Sequence, residues 1–193
     1  MPRLRRPSAP LCRGPRSAAP ARGFTVVELL VALAIASLLL VLAAPPWRAR
    51  IAAAELRERA EALSAALAAA RSEAIKRGTR VDLCASADRL GCAAGGEWEA
   101  GWLGFVNDAA AAAPAHGAPL VASERRAREG ITIRGNGPVA QYVSYTPLGH
   151  ARRHDGALQM GTFTVCRRGE TALKVVLANS GRTRIDASPE ICP

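Results

Sequence analysis

The chain has no P-loop, no dinucleotide-binding glycine fingerprint and no H-E-x-x-H helix. Phosphoryl-transfer, nicotinamide and zinc-protease chemistry each need one of those patterns to place their groups. Ser144, His150 and Asp155 could be drawn as a triad, but no nucleophile elbow surrounds the serine. Glu97 and Glu99 flank Trp98 in ordinary alternation and do not form a catalytic carboxylate pair. The sequence therefore reads as a non-enzyme without a cofactor. It also lacks any C-x-x-C, and His116, His150 and His154 have no ligand spacing to the cysteines. No metal site is expected. Aromatics make up only 4% of the chain and none interleaves the arginine runs, which argues against a stacking groove for single strands. No internal repeat is present.

Acidic residues are missing from one region in particular. Residues 1–23 hold six arginines and no acid, so the formal charge of +10 overstates the rest. Beyond residue 23 there are 20 basic and 16 acidic residues, a net of about +4. Arg5-Arg6 lack the surroundings of a twin-arginine export signal and read as positive-inside charge. Polar residues then become scarce: from Val26 to Ala44 only Glu28 and Ser37 interrupt an apolar run. A long-leadered secretory signal cut near Leu42-Ala43-Ala44 and a plain membrane anchor are the ordinary readings. Neither gives Glu28 a role. An acid in lipid costs about 2.5–3.5 kcal/mol at mid-helix and somewhat less near an end.

Arg22-Gly23-Phe24-Thr25-Val26-Val27-Glu28-Leu29-Leu30 resembles the class III signal of type IV prepilins and type II secretion pseudopilins. The resemblance implies cleavage at Gly23–Phe24, ahead of the apolar run, by a prepilin peptidase that also methylates Phe24. Glu28 becomes the fifth residue, which family members pair with the terminal amine of a neighbouring subunit. It further implies a single-pass inner-membrane protein with a periplasmic C-terminal domain. That protein is later built into a pilus or pseudopilus with other major and minor pilins or pseudopilins.

Pro45-Pro46 follows the apolar run, where a kink is expected. Leu56, Ala60, Leu63, Leu67, Ala70 and Ala74 then form one apolar stripe at helical spacing. Glu55–Arg59, Arg57–Glu61 and Glu73–Arg77 stand at i,i+4 on the other face, and Gly78 is a natural stop. Short β runs follow at 79–86, 101–106, 131–134, 139–145, 162–166, 172–177 and 182–186. Asn107–Pro119 reads as a surface loop. The expected organisation is a leader at 1–23, an apolar helix half at 24–46, an amphipathic half at 47–78 and a β-rich domain at 79–193. The fold class is α+β, a long helix laid against antiparallel sheet.

Cys12 falls in the leader, which leaves Cys84, Cys92, Cys166 and Cys192. An even number in an exported domain points to disulfides, with three possible connectivities. The favoured set is Cys84–Cys92, closing a short loop, and Cys166–Cys192, tethering the C-terminal tail.

The domain adds a narrower resemblance. Val81-Asp82-Leu83-Cys84, Cys92 and the segment from Glu97 to Phe105, with Trp98 and Trp102, are similar to the GspH/FimT family. So are Tyr145-Thr146-Pro147-Leu148-Gly149, Thr162–Cys166 and Val175–Arg184. That resemblance implies a type IV pilin fold. Trp98 and Trp102 are expected in the core.

Gly181-Arg182-Thr183-Arg184 is the candidate binding site. Glycine suits the turn. In an extended strand Arg182 and Arg184 share a face about 7 Å apart, a spacing that suits neighbouring phosphates gripped by guanidinium forks. Contacts of that kind are sequence-independent and salt-sensitive. The segment matches the G-R-x-R signature of FimT-type minor pilins of naturally competent bacteria, which implies DNA as a partner. Arg152-Arg153-His154 and Arg167-Arg168 could extend the basic track. Arg125-Arg126-Arg128, broken by Glu124 and Glu129, reads as a salt-bridged surface. The competing expectation is a structural minor pilin or GspH-like pseudopilin that primes or caps a filament without binding DNA.

Overall fold

The computed structural model describes residues 23–111, 114–115 and 117–193, apart from the side chains of residues 42–46 and 48. Arg5, Arg6, Cys12 and the rest of the leader before Gly23 lie outside the described residues, as does His116.

One helix, α1 (Val26–Arg77), precedes eight strands. They are β1 (Val81–Ala85), β2 (Trp102–Val106), β3 (Leu120–Glu124), β4 (Ile131–Gly135), β5 (Tyr142–Tyr145), β6 (Gly161–Arg167), β7 (Thr171–Leu177) and β8 (Thr183–Ile191). The chain divides into two compact units, the second spanning Pro45–Pro193. In the first unit the described side chains from Phe24 to Val41 are exposed. The expected kink falls at Pro45-Pro46, whose side chains are outside the description; the helical assignment continues across both residues. Among the described residues no helix is long and apolar enough to cross a membrane.

Within the second unit, the apolar stripe of α1 lies against the inner faces of two antiparallel four-stranded sheets. Their strand orders are β3-β2-β1-β5 and β4-β6-β7-β8. Leu56, Ala60, Leu63, Leu67, Ala70 and Ala74 are all buried there with Val81, Leu83, Ile133, Val143, Phe163, Val165, Val175 and Leu177. The alanines in the stripe leave room for the strands to approach the helix backbone. Arg77 is the last helical residue, and Gly78 takes φ +62°. Thr79 N donates to Ala74 O and Gly78 N to Ile75 O, the paired bonds by which a helix closes its free carbonyls.

β1 is buried at every position because the first sheet is covered twice. Val81, Leu83 and Ala85 face the main core, while Cys84 joins Leu103, Phe105, Cys92 and Tyr142 in a second cluster. Strands covered on both faces lose the apolar–polar alternation of half-exposed ones. β4 and β6 keep that alternation, with Ile131 and Ile133, then Phe163 and Val165, turned inward. Trp98 and Trp102 are core residues. Trp98 packs edge-on against Phe163, with ring centroids 5.0 Å apart, and its Nε1 donates to Ala140 O.

Four local expectations are corrected. β3 falls outside the expected β runs; it is an edge strand with little burial, so its composition carries no core pattern. The stretch 139–145 starts as a 3-10 turn at Gly137–Val139, and its strand begins at Tyr142. β8 starts one residue later than expected and runs on to Ile191. Finally, Glu55 and Arg59 do not pair with each other. Glu55 accepts from Arg128 and Arg167, while Arg59 pairs with Glu124 at 3.5 Å and lies 4.4 Å over the Trp102 ring. Tertiary partners outcompete the local i,i+4 pairing because they hold the helix to the strands. Arg57–Glu61 and Glu73–Arg77 do form on the exposed face.

Cys84 is bonded to Cys92 and Cys166 to Cys192. The first bond closes the loop over the second cluster. The other ties the C-terminal tail to β6, where Cys192 N also donates to Glu170 O.

Candidate functional site

The hairpin between β7 and β8 carries the arginine motif. Gly181 N donates to Ala178 O at 2.9 Å and Ala178 N to Arg182 O at 2.9 Å, closing a tight turn. Gly181 takes φ +80°, a region that L side chains rarely enter. It is also crowded: a Cβ at this position would lie 2.1 Å from Gly149 O and 3.1 Å from both Arg71 Nε and Tyr145 Cε1. Glycine is therefore required twice, once by the turn and once by the neighbouring loop.

The two arginines differ in their surroundings. Arg182 precedes β8 and is exposed, with no side-chain hydrogen bond or ion pair among the described residues. Arg184 lies on the strand, and its Nε binds Asp186 Oδ2 at 2.8 Å. Between them Thr183 turns to α1, its hydroxyl 3.0 Å from that of Ser64. A groove of about 410 Å³ runs along the hairpin, lined by Ala68, Arg71, Ser72 and Ile75 of α1 and by Gly181, Arg182 and Thr183. Arg71, half-buried, donates from Nε to Gly149 O at 2.9 Å. Sequence reading missed Arg71 because its relation to the motif spans over a hundred residues. Its only local sign was a charge on the flank of the apolar stripe. Burial pushes the Tyr145 hydroxyl up from its ordinary range, against the opposing effect of the nearby Arg71 charge.

The other basic residues do not join this groove. Arg167 is taken up by Glu55, and Arg153 pairs with Asp155 at 3.4 Å. Arg168 lines a separate hollow with Arg134 and the Cys166–Cys192 bond. Arg152 sits beside β5, where its backbone N donates to Ser144 O. The Ser144 hydroxyl accepts from Arg80, and Asp155 holds the backbone of Ala157. Among the described residues, the histidine in a tight polar cluster is His154. Its Nε2 lies 2.6 Å from Asp82, which also accepts from Asn107, and its ring stacks on Tyr142.

At the amino end, Thr25 precedes the first helical residue and its hydroxyl accepts from Glu28 N at 3.2 Å. Thr25-Val26-Val27-Glu28 thus has the sequence of a capping box, a signal the apolar run had obscured. Glu28 stands in the first turn, where an acid complements the helix dipole.

Residues 59–181 match the family described as type II transport protein GspH. The chain belongs to the GspH family. Residues 19–44 match the prokaryotic N-terminal methylation motif. No match was found among the curated proteins. Among solved structures the fold is similar to that of the type IV minor pilin FimU of Pseudomonas aeruginosa strain PAO1 in two crystal forms. One is 22% identical, with 70% of this chain and 94% of that chain covered and a TM-score of 0.53. The other is 20% identical, with 69% and 98% covered and a TM-score of 0.51. The architecture is the type IV pilin fold.

GspH-family membership with a methylation motif makes this a pilin-like structural subunit. It is a substrate for prepilin peptidase and assembles with other pilins from the membrane. The family match ends at Gly181. Arg182 and Arg184 lie just beyond it, so membership alone does not decide what they bind.

Proposed function

We propose that this GspH-family subunit is a minor type IV pilin that binds extracellular DNA without sequence preference during natural transformation. Processing cuts Gly23–Phe24 and methylates Phe24, and Glu28 pairs with the terminal amine of a neighbouring subunit. The product is a single-pass inner-membrane protein with a periplasmic domain until it enters the pilus. The observation that carries DNA binding is the Gly181 turn presenting Arg182, a solvent-exposed guanidinium with no acid partner among the described residues. Arg184, two residues on, exchanges Asp186 for a phosphate on binding. The test is a mobility shift with the full chain in detergent micelles. Wild type retards duplexes of unrelated sequence, less so at higher salt, and Arg182→Ala with Arg184→Ala loses most of that binding. Equal retardation by the double variant rules out this site, and no retardation at low salt ends the reading.

A second reading is a structural minor pilin or GspH-like type II secretion pseudopilin that primes or caps a filament without binding DNA. The Arg184–Asp186 bond favours it, because it already neutralises one of the two cations. Neighbouring genes for competence or pili, against genes for a secretion system, separate the two readings.

A further inference from the structure

We infer that Arg71 of α1 and Arg182, rather than Arg182 and Arg184, form the primary phosphate grip of this subunit, in the groove between helix and hairpin. The inference rests on the DNA-binding reading above. Three observations lead to it.

The first is charge. Arg71 and Arg182 both line the groove of about 410 Å³. Among the described residues neither has a carboxylate partner, whereas Arg184 is held by Asp186 at 2.8 Å. An anion between two uncompensated guanidiniums gains two charge-assisted contacts without first breaking an ion pair. At Arg184 the adjacent Asp186 carboxylate already occupies Nε and repels an incoming phosphate, which offsets part of the gain.

The second is preorganisation. Arg71 Nε is tied to Gly149 O, so the stem is already ordered while other guanidinium N–H groups remain to donate. Ordering a long side chain is a main cost of binding, and here folding has met it. Gly181 is what allows this contact, since any side chain there would press on Gly149 O and Arg71 Nε. The glycine of the motif thus serves Arg71 as well as the turn.

The third is shape. Ala68 and Ser72 are small and exposed on the same helix flank, and they leave the groove open. The Ser72 hydroxyl adds a neutral donor, and Ile75 supplies an apolar wall.

The experiment measures duplex affinity against salt concentration for the full chain in micelles. Arg71→Gln keeps an N–H donor for Gly149 O and removes the charge. Ala68→Glu leaves every hydrogen bond in place, suits a helix and puts an acid into the groove. Each is expected to weaken binding by about tenfold. Arg71→Gln and Arg182→Gln each also lower the salt slope by about one, which loss of structure alone would not do. Arg184→Gln has the smaller effect of the three arginine variants. The inference is overturned if Arg71→Gln and Ala68→Glu bind like wild type, or if Arg71→Gln matches an Arg153→Gln control. Failure of the DNA reading looks different: wild type binds no duplex at low salt. Inorganic phosphate titrated against the wild-type chain by NMR then decides the groove. Saturable shifts at Arg71 and Arg182 keep it as an anion site, and their absence removes it as well.

Discussion

Gly181 shows how one missing side chain sets the site. Its φ of +80° and the 2.1 Å separation between a Cβ there and Gly149 O are independent obstacles to substitution. Gly181→Ala should therefore cost about 2 kcal/mol, more than a turn glycine with open space around it. Gly169, also at positive φ but with nothing within 4 Å, is the control. Thermal melts of the two alanine variants check this: Gly181→Ala should melt well below Gly169→Ala. Equal melting temperatures would mean that the Gly149 contact relaxes without cost. The turn itself was legible in the sequence, since Asn179-Ser180-Gly181 ahead of alternating residues signals a hairpin. The Gly149 carbonyl and Arg71 were not, because chain-local patterns carry no information about which distant loop packs on a turn.

Elements were legible where burial was one-sided and illegible where partners were tertiary. The α1 stripe was read residue by residue, because a helix with one buried face writes a 3.6 period into its sequence. β3 left no such mark, as an edge strand with neither face fully buried. The link between the two sheets was equally hidden. Glu99, on the 3-10 turn before β2, accepts from Arg134 of β4 and from Ile133 N. Partial burial raises the Glu99 carboxyl, but the Arg134 hydrogen bond and the backbone donors outweigh it and hold the group below the usual carboxylate range. A depressed carboxylate stabilises the fold fully above its unfolded value, about 4.3. That stability is lost as pH falls through the lower folded value. Glu99→Gln should melt below wild type at neutral pH, and the gap should close as the pH is taken into the acid range. A gap that stays constant with pH would assign the loss to packing and not to the charge. Arg134 is half exposed, so solvent screening keeps the effect modest.

For the whole molecule, the proposed reading gives the two ends of the chain separable tasks. The hairpin groove belongs to the unit Pro45–Pro193 and Glu28 to the preceding one, so damage to one need not disturb the other. Glu28 is the sharper test. The helix dipole returns about 0.3–1 kcal/mol to an acid in the first turn, against a lipid cost of roughly 2.5–3.5 kcal/mol at mid-helix that is smaller near a helix end. On the proposed reading, the N-terminal amine freed at Phe24 meets the remaining cost once the apolar helices of neighbouring subunits pack together. Glu28→Gln keeps the helix and nearly the same volume but cannot pair with that amine. It should be cleaved after Gly23, accumulate in the membrane fraction and be depleted from sheared filaments. Its unit Pro45–Pro193 should melt as in wild type, and DNA binding in micelles should be unchanged. Intact mass of the membrane-held chain reads cleavage and methylation together, and the ratio of filament to membrane protein reads assembly. Entry of Glu28→Gln into filaments at the wild-type level would show that assembly does not need the Glu28 charge.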